Sequence, residues 1–143
     1  MSIIAKYKFD KSIYENLIPE INEGYTGYTI SDEIDSENSN HVIRTIECDS
    51  LPTLMRFGSN VGQDSDYQSD NRVESLLEII ALNTDNLTSC IRMFKFCKNL
   101  KKVSCDINTR NITTLHDMFA NCYKLASLDV SNSPLQFGKA GRK

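Results

Sequence analysis

The sequence predicts an α/β fold, a short solenoid of about two and a half repeats of 25 residues that a mainly-β segment covers at one end. Two observations support it. The second half of the chain matches itself when it is shifted by 25 residues, and the first half alternates apolar and polar residues as β-strands do. The predicted parts are a capping segment over residues 1–74, repeats over 75–133 and a basic tail over 134–143.

The capping segment contains four strand-like stretches. In "IIAKYKF" two lysines occupy one face of a predicted strand, and the other face holds Ile3, Ala5, Tyr7 and Phe9. The stretch "HVIRTIECD" alternates in the same way, and "GYTGYTISDEI" and "LPTLMRFG" are rich in strand-forming residues. A repeat stack this short needs a covered end, so we expect this segment to supply the cover.

The repeat is built on Met-Phe-x-x-Cys-x-x-Leu, which occurs in "MFKFCKNL" and again in "MFANCYKL". Each unit combines a strand such as "LKKVSCDI" with a segment such as "ITTLHDMFANC", whose apolar residues fall three and four apart, as on one helix face. A single unit cannot bury this stripe, so units stack and share a core. The predicted core residues are Leu87, Met93, Phe94, Cys97, Leu100, Val103, Ile112, Met118, Phe119, Cys122, Leu125 and Leu128.

The stretch "LKKVSCDINTRNITTLHDMFANCYKL" with the following "LASLDVS" resembles the BspA-like leucine-rich repeat family, in short bacterial or phage-encoded members. The preceding "LLEIIALNTDNLTSCIRMFKFCKNL" resembles a second copy in a slightly different register. The resemblance covers residues 75–133 and implies a right-handed solenoid with a role in binding or adhesion. It implies no catalytic residues. The end of the chain, "SPLQFGKAGRK", departs from the family pattern.

The repeated cysteine admits a chemical interpretation beside the structural one. Cys97 and Cys122 would lie in adjacent layers, where they could form soft metal ligands or a disulfide. The coincident spacing of Met, Phe and Leu favours the structural interpretation, in which the five cysteines of the chain are mostly buried, reduced thiols. A run of aspartates at Asp64, Asp66 and Asp70 lacks the glycine and glutamate of a calcium loop. We therefore predict no metal and no cofactor.

No catalytic constellation is evident in the sequence. It contains no G-x-S-x-G, H-E-x-x-H or P-loop motif, and neither His41 nor His116 has a nucleophile at a recognisable spacing. The sequence therefore predicts a protein that is not an enzyme.

Charge is distributed unevenly along the chain. Residues 1–75 contain six Lys and Arg against fourteen Asp and Glu, whereas residues 76–143 contain ten against five. The densest basic cluster is a candidate interaction surface, formed by Arg92, Lys95, Lys98, Lys101 and Lys102. Such a cluster could neutralise phosphates, but the net charge of −3 and the lack of interleaved aromatic residues argue against nucleic acid. The halves could equally attract each other.

These observations lead to two functional hypotheses. The first is a protein-binding module of the leucine-rich-repeat type, acting as a bacterial or phage surface component or as an effector on another protein. The second is a structural subunit of a phage virion or tail that associates with copies of itself; nucleic-acid or carbohydrate binding ranks below both. No window is apolar enough to span a membrane and no signal peptide is evident, which favours the cytoplasm or a phage particle over Sec-dependent secretion.

Overall fold

The structure is a computed structural model, and it describes residues 2–22, 25–58, 71–104, 112, 118–119 and 122–128. Most of the regular structure is β-sheet. In chain order the elements are β1 (Ser2–Asp10), β2 (Glu20–Ile21), β3 (Tyr28–Ile34), β4 (His41–Cys48), β5 (Met55–Arg56), α1 (Asn71–Glu74), β6 (Leu76–Leu82), β7 (Lys102–Val103) and β8 (Ser127–Leu128).

Six of the strands form one mixed sheet in the order β3-β4-β1-β6-β7-β8. The pairs from β3 to β6 are antiparallel, and β6, β7 and β8 run parallel to one another. The short strands β2 and β5 form a separate antiparallel pair. Because β1 lies between β4 and β6, strands from both halves of the sequence share one sheet and one apolar core.

The predicted α/β leucine-rich-repeat solenoid is wrong, because the residues that the structure describes form mainly a mixed β-sheet and no solenoid. Within the described ranges the α-helix is confined to the four residues of α1. In the first copy of the repeat, residues 91–96 form consecutive turns in place of a helix. Of the second copy's predicted helix, "ITTLHDMFANC", residues 113–117 and 120–121 lie outside the described residues.

Two backbone conformations explain why the first copy is not helical. Arg92 and Phe96 have φ angles of 56° and 65°, in the left-handed region that a right-handed helix cannot contain. Bonds that join residues three apart follow one another instead, such as Met93 N to Cys90 O at 3.1 Å. A succession of such turns also brings residues three or four apart to one side. The apolar spacing therefore fits both structures.

The strand predictions for β1 and β4 are confirmed, with one correction in β1. Ile3 was expected on the buried face, but 42% of its surface is exposed. The pairing register shifts between Ile3 and Ala5 at an irregularity of the β-bulge type, so Ile4 is buried instead. A bulge adds one residue to a strand. The residues before the bulge therefore lie on the face of the sheet opposite to the one that simple alternation predicts.

The parallel strands pair at an offset close to the sequence repeat. Glu78 pairs with Lys102, and Lys102 pairs with Ser127 in the next strand. Between the layers, Lys101 N donates to Leu77 O at 2.9 Å and Ala126 N donates to Lys101 O at 3.0 Å. The sequence repeat thus places equivalent backbone groups side by side in the sheet.

A column of stacked phenylalanines runs in the same direction as the succession of parallel strands β6, β7 and β8. The ring centroids of Phe57 and Phe94 are 5.9 Å apart, and those of Phe94 and Phe119 are 5.4 Å apart. The backbone repeats this step, since Phe57 N donates to Met93 O and Phe94 N donates to Met118 O, each at 2.8 Å. Phe57 therefore adds a layer to the column from outside the predicted repeats.

Candidate interaction surfaces

Most of the predicted core residues are buried in the structure. Leu87, Met93, Phe94, Cys97, Leu100, Val103, Ile112, Met118 and Phe119 are buried. Cys122 and Leu125 are half-buried and pack against the core, and the side chain of Leu128 lies outside the described residues. The apolar positions of the repeat therefore serve packing.

The thiols of the repeat are enclosed by protein. Cys90 and Cys97 are buried, and the Cys122 thiol donates to Phe94 O at 2.9 Å. Burial raises the pKa of the Cys90 thiol to about 12 and that of the Cys122 thiol to about 12, although a backbone hydrogen bond at Cys97 opposes the shift at Cys122. A thiolate is the form that attacks disulfides or binds metals, so these environments oppose both reactions.

The candidate basic surface is not one exposed patch, and the assignment of Lys95 to it is corrected. Lys95 is fully buried, with its Nζ atom 5.2 Å from the centroid of the Phe96 ring. The left-handed conformations at Arg92 and Phe96 enclose this residue in the turns, where Gly58 packs directly on its backbone. The sequence shows a lysine between apolar residues, but it does not show the left-handed backbone conformations on either side of it.

The other four members of this cluster differ in environment. Arg92 is half-buried, and its Nε atom has no hydrogen-bond partner in the described part of the chain. The Lys98 Nζ atom lies 3.4 Å from Glu74 Oε2. Lys101 and Lys102 are exposed on the strand side of the layer. The proposed surface is therefore reduced to the last two lysines.

The end of the sheet at β3 is a more extended exposed surface. Every residue of β3 after Tyr28 is exposed, and on one face 38% of Ile30 and 51% of Ile34 are exposed. This face continues the core-facing side of β4, because Ile30 pairs with the buried Ile46 and Ile34 pairs with the buried Val42. The sheet thus extends beyond the packing that covers its central strands.

An ion pair holds the middle of this edge. The Arg44 guanidinium donates from Nε and Nη2 to the two carboxylate oxygens of Asp32, each at 2.8 Å. Arg44 also donates to Leu17 O at 3.2 Å, and its Cζ atom lies 5.1 Å from the centroid of the Phe9 ring. The hydrogen bond to Asp32 raises the pKa of Arg44. A bidentate pair of this kind fixes β3 to β4 through side chains as well as backbone.

A second network of ion pairs lies on the opposite face of the sheet, at the turn between β3 and β4. The Lys8 Nζ atom lies 3.0 Å from Asp35 Oδ2 and 3.9 Å from Glu78 Oε1. The amide of Glu37 donates to Asp35 Oδ1 at 3.0 Å, and this bond, with Lys8, lowers the pKa of Asp35. The β3–β4 turn is thereby fixed to the central strand β1.

Sequence reasoning missed the β3 edge. The pattern of "YTISDEI" contains a usable signal, because Ile30 and Ile34 share a strand face with an aspartate between them. That signal indicates an exposed apolar edge only once β3 is known to be the edge strand of the sheet. Periodicity within one strand does not reveal its place among the others.

Comparisons with protein-family models, curated proteins and solved structures gave no match. The resemblance of residues 75–133 to BspA-like repeats therefore remains a prediction from the motif. Among the described residues, no helix is long and apolar enough to cross a membrane, and no three His, Cys, Asp or Glu side chains are grouped as metal ligands would be. Asp64, Asp66, Asp70, Cys105, His116 and the predicted tail lie outside those residues.

Proposed function

We propose that this protein is a non-catalytic protein-binding module that engages its partner through the β3 end of the sheet. The observation that supports this proposal is the exposure of β3 on both faces, with Ile30 and Ile34 on the face that continues the core. Apolar side chains at a strand edge that is not covered by other elements are a common feature of recognition surfaces.

The ordered geometry of the edge adds to this support. Arg44 and Asp32 join β3 to its neighbour by two side-chain hydrogen bonds, so the exposed strand is held in an extended form. A partner then binds a preformed strand and avoids most of the ordering cost that a loop would impose.

A pull-down with two variants tests the proposal. The bait carrying Ile30→Lys and Ile34→Lys should lose the proteins that the unaltered chain retains. A Tyr14→Lys bait should keep them, because Tyr14 is 39% exposed at a position outside β3. Equal melting temperatures of the three baits would establish that folding is unaffected. Retention of no protein, or of the same proteins by the β3 variant, would contradict the proposal.

A second candidate function is a structural subunit that binds copies of itself. Its support is electrostatic: Glu33 lies on β3 and Glu47 on the neighbouring β4, whereas Lys101, Lys102 and Lys124 are exposed towards the other end of the sheet. Opposite charges at the two ends would favour head-to-tail contacts between copies. Light scattering over a hundredfold range of concentration separates the two functions. A constant monomer mass would exclude self-assembly.

A further inference from the structure

The two faces of strand β3 differ in the side chains that an added strand would meet. Ile30, Asp32 and Ile34 point to the core-facing side, and Ser31 and Glu33 point to the other side. We propose that β3 accepts an extended segment of a partner protein in which apolar side chains alternate with Lys or Arg. This inference rests on the proposed function and specifies the partner's chemistry.

On the core-facing side, the edge selects apolar side chains. Natural edge strands are often protected by a charge that points inward, and Asp32 occupies such a position. Here the charge is matched by the bidentate contact with Arg44, only 7% of which is exposed. An added strand would therefore meet Ile30 and Ile34 with a neutralised pair between them. Apolar residues opposite the two isoleucines would form favourable cross-strand pairs.

On the other side, the edge selects basic side chains. Glu33 lies on β3 itself, and Glu47 lies on β4 opposite Thr29. Neither carboxylate has an ion pair with any residue in the described ranges, whereas the nearby Lys8 is already paired with Asp35 and Glu78. Lys or Arg opposite Glu33 would lie within direct reach, and one opposite Thr29 could extend towards Glu47.

The wider charge distribution favours the same partner. Residues 28–49, which contain β3, β4 and their turn, carry six Asp and Glu against a single Arg. The seven residues of β3 span about 23 Å at the usual rise of a strand, enough for a segment of about seven residues to pair along it. A second copy of β3 is a poorer occupant, because its sequence YTISDEI contains no Lys or Arg and would bring a second Glu33 to this edge.

Three fluorescently labelled peptides, each of nine residues, test the inference by fluorescence anisotropy with the intact protein. One alternates Val and Thr with Lys, one replaces each Lys with Glu, and one has the first composition with its lysines in a single block. The alternating Lys peptide should bind at least tenfold more tightly than the other two, because it alone satisfies both faces of β3. Amide exchange on β3 should slow when it binds.

Variants identify the two faces separately. Ile30→Lys with Ile34→Lys should weaken the alternating Lys peptide at least tenfold. Glu33→Gln and Glu47→Gln should each weaken it about threefold, as expected for exposed charge pairs, and more at low salt than at high salt. Tyr14→Lys, the matched exposed control, should leave its affinity unchanged.

Each contrary outcome has a distinct meaning. Equal binding of the Lys and Glu alternating peptides would overturn the proposed charge selection and leave strand addition at β3 intact. Equal binding of the blocked peptide would show simple charge attraction and overturn the inference. If no peptide binds, or if light scattering shows a dimer that the Ile30 and Ile34 changes dissociate, the inference fails. The pull-down above would then decide separately whether β3 binds proteins.

Discussion

Phe94 and Phe119 lie one 25-residue repeat apart, and their rings stack at 5.4 Å with 16° between their planes. The same step is made by the backbone, where Phe94 N donates to Met118 O. The repeated Met-Phe pair therefore has one physical task in both copies. Phe fills the space between layers, and Met supplies the carbonyl group that joins them.

Replacing Phe119 by alanine should destabilise the protein by about 3–5 kcal/mol, the usual loss for a buried aromatic side chain. Phe119 is 8% exposed and stacks on Phe94, so its removal leaves a cavity beside the Phe94 ring. Urea unfolding followed by circular dichroism measures the change. A loss below about 1 kcal/mol would show that this ring contributes little to the core.

Gly58→Ala should destabilise the fold through a steric conflict with backbone. A Cβ atom at this position would lie 2.2 Å from Lys95 N and 2.5 Å from Arg92 O. Overpacking of this kind costs about 1–3 kcal/mol or more. Gly27→Ala is the matched control, because no atom lies within 4 Å of its added Cβ and its strain comes from φ +83° alone. Equal effects on the two melting temperatures would refute the close-packing argument.

Asp35 should make the stability of the protein depend on pH in the acid range. Its pKa is lowered in the folded state, first by the amide of Glu37 and then by Lys8. The stabilisation is therefore complete above the unfolded value of about 3.9 and is lost as the pH falls through the folded pKa. Asp35→Asn should be less stable than the unaltered chain at pH 7, and the difference should narrow towards pH 3. Urea titrations that show a constant difference would contradict this.

Native thiols of the repeat should react slowly with alkylating reagents. With a pKa of about 12, the Cys122 thiol is ionised to only about one part in ten thousand at pH 8. Cys90, which is buried and has a similarly raised pKa, should behave in the same way. Mass spectrometry of single sites should show slow labelling in buffer and rapid labelling in urea. Rapid labelling of Cys122 in buffer would show an exposed thiol.

The predictions from the sequence were reliable where one periodicity implied one structure. Alternation identified β1 and β4, because a residue period of two fits few structures other than a strand. The offset of 25 residues anticipated the register of β7 and β8. Ile3 was misplaced because a bulge leaves no mark in a pattern of apolar letters.

Sequence reasoning failed where two structures share a pattern. Apolar residues three and four apart suit an amphipathic helix, but they also suit the consecutive turns through Arg92 and Phe96. The buried Lys95 lies within those same turns. The exposed edge at β3 depends on the order of strands in the sheet, and long-range pairing of that kind is not encoded in any single local stretch.

The position of β1 between β4 and β6 has a consequence for how the chain folds. Its Lys6 pairs with Thr45 on one side and with Ala81 on the other. During synthesis, one hydrogen-bonding edge of β1 would remain open until β6 has left the ribosome. Non-local strand pairing of this kind slows folding and exposes intermediates to aggregation. The nascent chain would pass through a stage in which its first strand could be captured by a chaperone.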